Sequence, residues 1–330
     1  TQAAADDVHL SVMPLPLLLE TISAVMVPLL VGASVRLEQA LAEGGVAGKS
    51  AGIAEAFGRT APTTSVLLPQ HLAAWVGQLT ASARRAPKGL RFIAVGGARL
   101  SPVLAARAWR LGIPVYEGYG LSECAAFVAV NRPDARKPGT VGKPLGGLSV
   151  HIDEGEIVVQ GPSVMAGYLR GKPAGGRWRT GDLGAIDRDG FLSVHGRRDN
   201  LLVTALGCRI SPEWLETLLA DDPRIGKAIV AGEGRRHLSA LLVPSAAGEA
   251  WFARARAGEI AALIARLCRA APAHAVPRGF LVVTGAKLKR LGLLTGSGLL
   301  RRAAALDFFT YEIERLYAPA AFHASLEASP

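Results

Sequence analysis

The chain has 330 residues, 50% of them hydrophobic and 6% aromatic, enough apolar material for one large or two unequal domains with a buried core. Its 37 basic and 27 acidic residues give a formal charge of +10, which suits polyanionic partners: nucleic acid, an anionic lipid surface, or phosphorylated small molecules. No run of five like charges and no nucleic-acid motif occurs, so phosphorylated small molecules are preferred, and a nucleic-acid module would rest on charge alone.

Cys124, Cys208 and Cys268 are odd in number and far apart, with no CxxC pair. That spacing fits a reducing compartment, so a cytoplasmic location without a signal peptide is expected. Leu10 to Val35 is apolar, with Glu20 its only charge. Pro14, Pro16 and Pro28 divide it into strand, helix and strand, which favours a buried core over a membrane span.

In chain order, Val8–Pro14 reads as a strand, 17–30 as a helix and 32–37 as a second strand. A helix over 51–57, a strand over 64–69 and a helix over 70–86 follow. Then come a strand over 90–95, a helix over 102–111 and a fifth strand over 114–117. Alternation at this pitch predicts a parallel sheet flanked by helices. On such sheets ligands sit outside the carboxyl ends of the strands. That rule selects two loops, Gly96-Gly97-Ala98 and the turn around Tyr119.

After Glu123 the texture changes to short alternating strands over 148–152, 156–160, 185–187 and 191–194, with a loop over 139–145. Asp189-Gly190 is a hairpin signal. These define a small β-rich subdomain. Beyond it, Ser211-Pro212-Glu213 opens a helix with an N-cap, a proline and an acid in the first turn. Strands over 227–230, 238–243 and 280–283 and one long amphipathic helix over 249–268 complete an α+β domain. The expected fold class is therefore α/β. A parallel sheet flanked by helices (1–125) and the β-rich subdomain (126–199) precede the α+β domain (200–330).

The stretch Val115–Glu123, VYEGYGLSE, carries the chemistry. Tyr119 offers a flat face to a base. Gly118 and Gly120, read as turn residues, let backbone approach a ligand because they lack a Cβ. Ser122 can hydrogen-bond a phosphate oxygen, and Glu123 can hold a hard cation such as Mg²⁺, which prefers oxygen ligands. In Trp178-Arg179-Thr180-Gly181-Asp182, read as a turn between strands, the carboxylate of Asp182 can accept both hydroxyls of a ribose.

In this order and spacing, these stretches resemble the adenylate-forming superfamily of acyl-CoA synthetases, peptide-synthetase adenylation domains and luciferases. So do Gly196-Arg197-Arg198-Asp199-Asn200 and Ile210-Ser211-Pro212-Glu213-Trp214-Leu215-Glu216. The resemblance runs from about Asp6 to about Tyr317. It implies a nucleotide site formed by Gly96, Gly97, Ala98, Tyr119, Gly120, Asp182 and Arg197. Catalytic roles would fall to Ser122, Glu123 and Arg197, with Mg²⁺ on Glu123. The α+β domain would be mobile about a hinge at Asn200, and Gly207 would sit on the loop used in thioester formation. Gly161–Tyr168 matches a family stretch whose role is mainly structural.

The resemblance further implies AMP-forming carboxylate activation, with ATP/AMP, Mg²⁺ and coenzyme A or a carrier phosphopantetheine. The apolar segment Leu15–Glu20, Ile210–Trp214, Leu293-Leu294-Thr295-Gly296 and a helix expected after Arg302 favour the long-chain fatty acyl subgroup, with peripheral membrane contact open and no transmembrane segment.

Two departures qualify that expectation. The family's phosphate-binding loop lies upstream of the Val8 strand and is not contained in the sequence. Leu299 occupies the place of the usual catalytic lysine, where a leucine cannot stabilise developing charge. Lys287 and Lys289 are the nearby substitutes. The alternative is a non-catalytic homologue, or one half of a split enzyme completed by an N-terminal fragment or partner chain.

Overall fold

A computed structural model describes residues 3–45, 52–295 and 300–318. They separate into two compact units, the first ending at His195 and the second beginning at Gly196.

In the first unit, seven strands among the described residues form one sheet. They are β1 (Val8–Ser11), β2 (Ser34–Leu37), β3 (Thr64–Leu67), β4 (Phe92–Val95), β5 (Val115–Tyr119), β6 (Ala129–Val130) and β7 (Lys143–Pro144). The spatial order is β2-β1-β3-β4-β5-β6-β7. The first five are parallel, whereas β6 and β7 add antiparallel. The expected parallel sheet is thus a mixed one. After β5 the chain doubles back through a short turn, and a strand returning without a crossover must run antiparallel. All four residues of β4, Phe-Ile-Ala-Val, are buried, the continuous apolar run of a central parallel strand.

Helices follow the strands as alternation predicts. Leu18–Thr21, a π-helical turn at Ile22–Met26 and Val27–Val31 succeed one another without a break. Pro102–Arg110 is capped by Ser101, whose hydroxyl accepts from the N–H groups of Val103 and Leu104 at 3.1 and 3.2 Å, the usual satisfaction of orphan first-turn donors. The helix expected over 70–86 is Pro69–Ala81, and a helix at Gln39–Gly45 was not anticipated. Among the described residues no helix is long and apolar enough to cross a membrane.

A second sheet contains β8 (Ser149–Asp153), β9 (Glu156–Gln160), β10 (Arg177–Ile186) and β11 (Leu192–Arg197) in the order β11-β10-β9-β8. Its Ile157, Val159 and Leu192 share one apolar cluster with Cys124, Val128 and Ala129, from β6 and the residues before it. The division between the units falls within β11.

The second unit starts with the pair β12 (Leu202–Val203) and β13 (Arg209–Ile210). Its main sheet is β14 (Ile225–Ala231), β15 (Ser239–Pro244) and β16 (Gly279–Val282). Successive residues face opposite sides. Val230, Ala240, Leu242 and Phe280 enter one apolar cluster. Ile229, Leu241, Val243 and Leu281 enter the other. The single helix expected over 249–268 is broken into Glu249–Phe252 and Ala257–Leu267. Arg256 lies between them in an extended conformation, and its N–H donates to Glu259 at 2.8 Å. Arg302 donates to the carboxylate of Glu216 and, at 2.6 Å, to the carbonyl of Val230. It thereby ties the C-terminal segment to the helix Pro212–Leu219 and to β14.

Candidate active site

Strand β5 runs two residues beyond its expected end. Gly118 pairs with Val130 and Tyr119 with Ala129, so both lie in the strand, not in a turn as expected. The turn proper spans 120–127. A Cβ on Gly120 would sit 1.7 Å from the carbonyl oxygen of Ala126, so no other residue fits there. The chain then makes a 3-10 turn at Ser122–Cys124 and passes through Ala125 and Ala126 at φ of 54° and 67°. It rejoins the sheet where Val128 N–H donates to the Tyr119 carbonyl at 2.9 Å. Cys124 is fully buried and anchors the turn. Burial, seconded by the charge of Glu123, pushes its thiol up to about 11, which leaves it unreactive at neutral pH.

A cleft of about 220 Å³ opens at this edge of the sheet. Its lining includes Gly96 and Gly97 after β4, and Tyr119, Gly120 and Ser122 from β5 and the turn. Apolar side chains of Met13 and Leu17–Leu19 form another wall. Ala98, expected with the two glycines, is exposed and does not line the cleft.

Asp182 reaches this cluster from the second sheet. It lies inside β10, a ten-residue strand, and not in a turn between strands as expected. The register of β10 against β9 shifts between Arg179 and Leu183, and Gly181 there has a φ of +73°. This β-bulge breaks the alternation of the strand and re-aims the side chain that follows. Buried Glu156 on β9 holds it: its carboxylate accepts from the Gly181 N–H at 2.9 Å and from Arg179 Nε and Nη2 at 3.0 and 2.8 Å. Asp182 is 9% exposed. Its Oδ2 accepts from the hydroxyl of Tyr119 at 2.6 Å.

Glu123 lies on the same turn as Ser122. Its Oε1 accepts from the hydroxyl of Tyr168 at 2.6 Å, and its carbonyl accepts from Met165 N–H at 2.8 Å. The Tyr168 ring stands edge-on to Trp178, with centroids 5.8 Å apart. The stretch Gly161–Tyr168 therefore supplies a hydrogen bond to a candidate metal ligand. Ser122 is exposed on the turn.

The remaining predicted residues lie in the second unit. Arg197 ends β11 and is exposed. Asn200 lies in a 3-10 turn, and its Nδ2 donates to Glu213 Oε1 at 2.5 Å. Gly207 closes a turn by donating to the Thr204 carbonyl at 2.8 Å. Ser211 starts the helix Pro212–Leu219 by position, yet its hydroxyl donates to Glu213 at 3.1 Å and does not cap the backbone. Lys287 and Lys289 lie on the helix Gly285–Arg290, with Lys287 Nζ 5.8 Å from the centre of the Phe309 ring. Leu299 lies outside the described residues.

Two acids near the cleft were missed. Glu117, directly before Gly118, is pushed up to about 7 by burial, against Arg136, the Gly139 N–H and Arg99. Glu20 is completely buried. Burial pushes it too up to about 7, against hydrogen bonds from Ser11 and from the Met13 and Val12 N–H groups. Its Oε2 has no hydrogen-bond partner. The signal for both was a lone acid inside an apolar run. Among the described residues, no group of three or more His, Cys, Asp and Glu side chains could hold a metal ion. A cation here would be held by Glu123 together with ligand oxygens, the usual mode for Mg²⁺.

Known proteins match this arrangement. Residues 1–169 match the family described as AMP-binding enzyme, and residues 199–321 match the AMP-binding enzyme C-terminal domain. The long-chain-fatty-acid–CoA ligase FadD15 of Mycobacterium bovis is 36% identical over 246 residues, 67% of this chain and 41% of that protein. The 2-succinylbenzoate–CoA ligase of Bacillus licheniformis is 32% identical over 54% of this chain and 41% of its own length. The chain thus spans about two fifths of the length of these relatives. O-succinylbenzoate coenzyme A synthetase from Bacillus subtilis, solved in complex with AMP, superposes with a TM-score of 0.72 at 26% identity. That match covers 92% of this chain and 61% of the other. The same enzyme with ATP and magnesium gives 0.73 at 25% identity, covering 92% and 62%. With both of its units matched in sequence order, this chain belongs to the AMP-binding enzyme family.

Proposed function

We propose that the chain carries the nucleotide-binding half of an AMP-forming acid–thiol ligase acting on a fatty acid. The observation that carries this reading is the meeting of Tyr119 and Asp182 at 2.6 Å beside an apolar cleft. A nucleoside's base and ribose are adjacent, so one nucleoside can lie against the Tyr119 ring and present its hydroxyls to Asp182. Gly96, Gly97 and Gly120 would admit the base, and Ser122 would bind a phosphate oxygen. Glu123, held by Tyr168, fits a Mg²⁺ whose chemistry is to neutralise the phosphates.

In the reaction a carboxylate oxygen attacks the α-phosphorus of ATP and pyrophosphate leaves. The thiolate of coenzyme A, or of a carrier phosphopantetheine, then attacks the acyl carbonyl and AMP leaves. The apolar wall of Met13 and Leu17–Leu19 and the likeness to FadD15 favour a fatty acid over a polar acid. Three free cysteines agree with a cytoplasmic site of action.

Leu299 favours a second reading, a non-catalytic or split homologue. Isothermal titration with a non-hydrolysable fatty acyl-adenylate mimic tests the nucleotide site, and the absence of heat would count against it. Pyrophosphate release, with and without a complementing N-terminal polypeptide, separates the readings. Release from the chain alone supports the ligase, release only on mixing supports a split enzyme, and none in either case supports a binding protein.

A further inference from the structure

Tyr119 does more at this site than offer a ring. We propose that its hydroxyl is a positioning group for the Asp182 carboxylate, and through it a determinant of selectivity for nucleotides that keep both ribose hydroxyls. The inference rests on the reading of Asp182 as the ribose-binding residue and goes beyond it by assigning a role to the phenol.

The geometry supports this in three ways. First, the Asp182 backbone is set by the bulge, which fixes where the carboxylate starts but not its rotation. The Tyr119 hydroxyl, 2.6 Å from Oδ2, supplies a second fixed point. Second, a carboxylate has roughly four acceptor positions. The bond from Tyr119 takes one of them, on Oδ2, so the phenol and a sugar diol need not compete for the same position. Third, the bond has only one polarity. Burial first, and then the adjacent Asp182 charge, pushes the phenol far above its ordinary value, so it stays a donor at any working pH. The two residues come from different sheets of the first unit, and Tyr119 packs against the apolar cluster beneath the second sheet. The bond therefore also sets the spacing between the face offered to the base and the acceptor offered to the sugar.

The test is isothermal titration of the full chain with AMP and with 2′,3′-dideoxy-AMP. The proteins are the wild type, Tyr119→Phe, Asp182→Asn and the double variant. Tyr119→Phe keeps the ring and removes only the donor. Its AMP affinity is expected to fall about tenfold, in the range of one hydrogen bond to a charged group, while dideoxy-AMP changes less than about twofold. The double variant should bind AMP no more weakly than Asp182→Asn alone, because the phenol acts only through that carboxylate.

An equal loss for both ligands would place the effect on the base and overturn the proposal. Unchanged or tighter AMP binding by Tyr119→Phe would overturn it as well, the latter making the phenol a competitor of the sugar. If wild type binds AMP but Asp182→Asn does not weaken it, the ribose reading itself fails. Melting curves of the variants exclude loss of fold as the cause.

Discussion

The turn that carries Ser122 and Glu123 and the bulge that carries Asp182 are shaped by opposite means. The turn is made by close approach. Gly120 faces the Ala126 carbonyl with no room for a methyl group, Cys124 is packed at its centre, and two alanines take left-handed conformations. The bulge is made by charge and hydrogen bonding, because one buried carboxylate, Glu156, gathers the Gly181 N–H and the Arg179 guanidinium. A region shaped by contact fails when an atom is added, whereas one shaped by polar bonds fails when an atom is removed.

Gly120→Ala puts the contrast under the greatest strain. Backbone would have to move by more than an ångström, so a loss of more than about 4 kcal/mol or failure to fold is expected. Chemical denaturation reads this, and a loss under about 1 kcal/mol would contradict the steric account. Glu156→Ala attacks the bulge by deletion, leaving Arg179 and the Gly181 N–H without it. The cost should be about 2–4 kcal/mol, accompanied by weaker AMP binding because Asp182 is no longer aimed. Retained AMP affinity in a folded Glu156→Ala protein would separate the bulge from the aim of Asp182.

Titration of the two buried acids beside the cleft gives a smaller effect. Glu20 and Glu117 are each raised to about 7 from an ordinary value near 4.5. The folded state then holds protons that the unfolded state has released. Their contribution is fully present below about pH 4.5 and is lost as pH rises through about 7. Thermal or chemical melts of the wild type should show declining stability from pH 5 to pH 8. Glu20→Gln should remove its share, up to about 3 kcal/mol at pH 8, and change little at pH 5. A variant whose pH dependence parallels the wild type would refute the assignment to Glu20. Least of all in stability, Tyr168→Phe removes one partly exposed bond to Glu123 and should cost about 1 kcal/mol or less. The Mg²⁺ concentration needed for tight ATP binding should rise about threefold to tenfold, and an unchanged requirement would leave Tyr168 a purely structural residue.

The alternating half of the first unit was legible because each strand is an apolar run closed by a Gly, Pro or Ser signal, as at Phe92–Val95 and Val115. Tyr119, Gly120, Glu123 and Asp182 were singled out because few residue types suit that chemistry and because the stretches that carry them resemble the adenylate-forming superfamily. The misses share a cause. Thr180-Gly181-Asp182 has the composition of a turn. What makes it a bulge is Glu156, 25 positions before Gly181 and across a ladder that local pattern does not contain. Strands β6 and β7 have two residues each, too short for any periodicity. The break at Arg256 lies in a stretch without proline, where amphipathic spacing continues on both sides. Its cause is a side chain that captures a backbone N–H, which hydrophobic pattern does not register.

Ala125 and Ala126 carry a consequence of their own. Each occupies a backbone region where a methyl-bearing residue is disfavoured by roughly 1 kcal/mol or more, so this part of the turn behaves like a bent spring held shut by its surroundings. Anything that loosened the seat of Cys124 or the Met165 clasp on Glu123 would let it relax, and Ser122 and Glu123 would swing together. The two candidate ligand groups would then be set or lost as one piece.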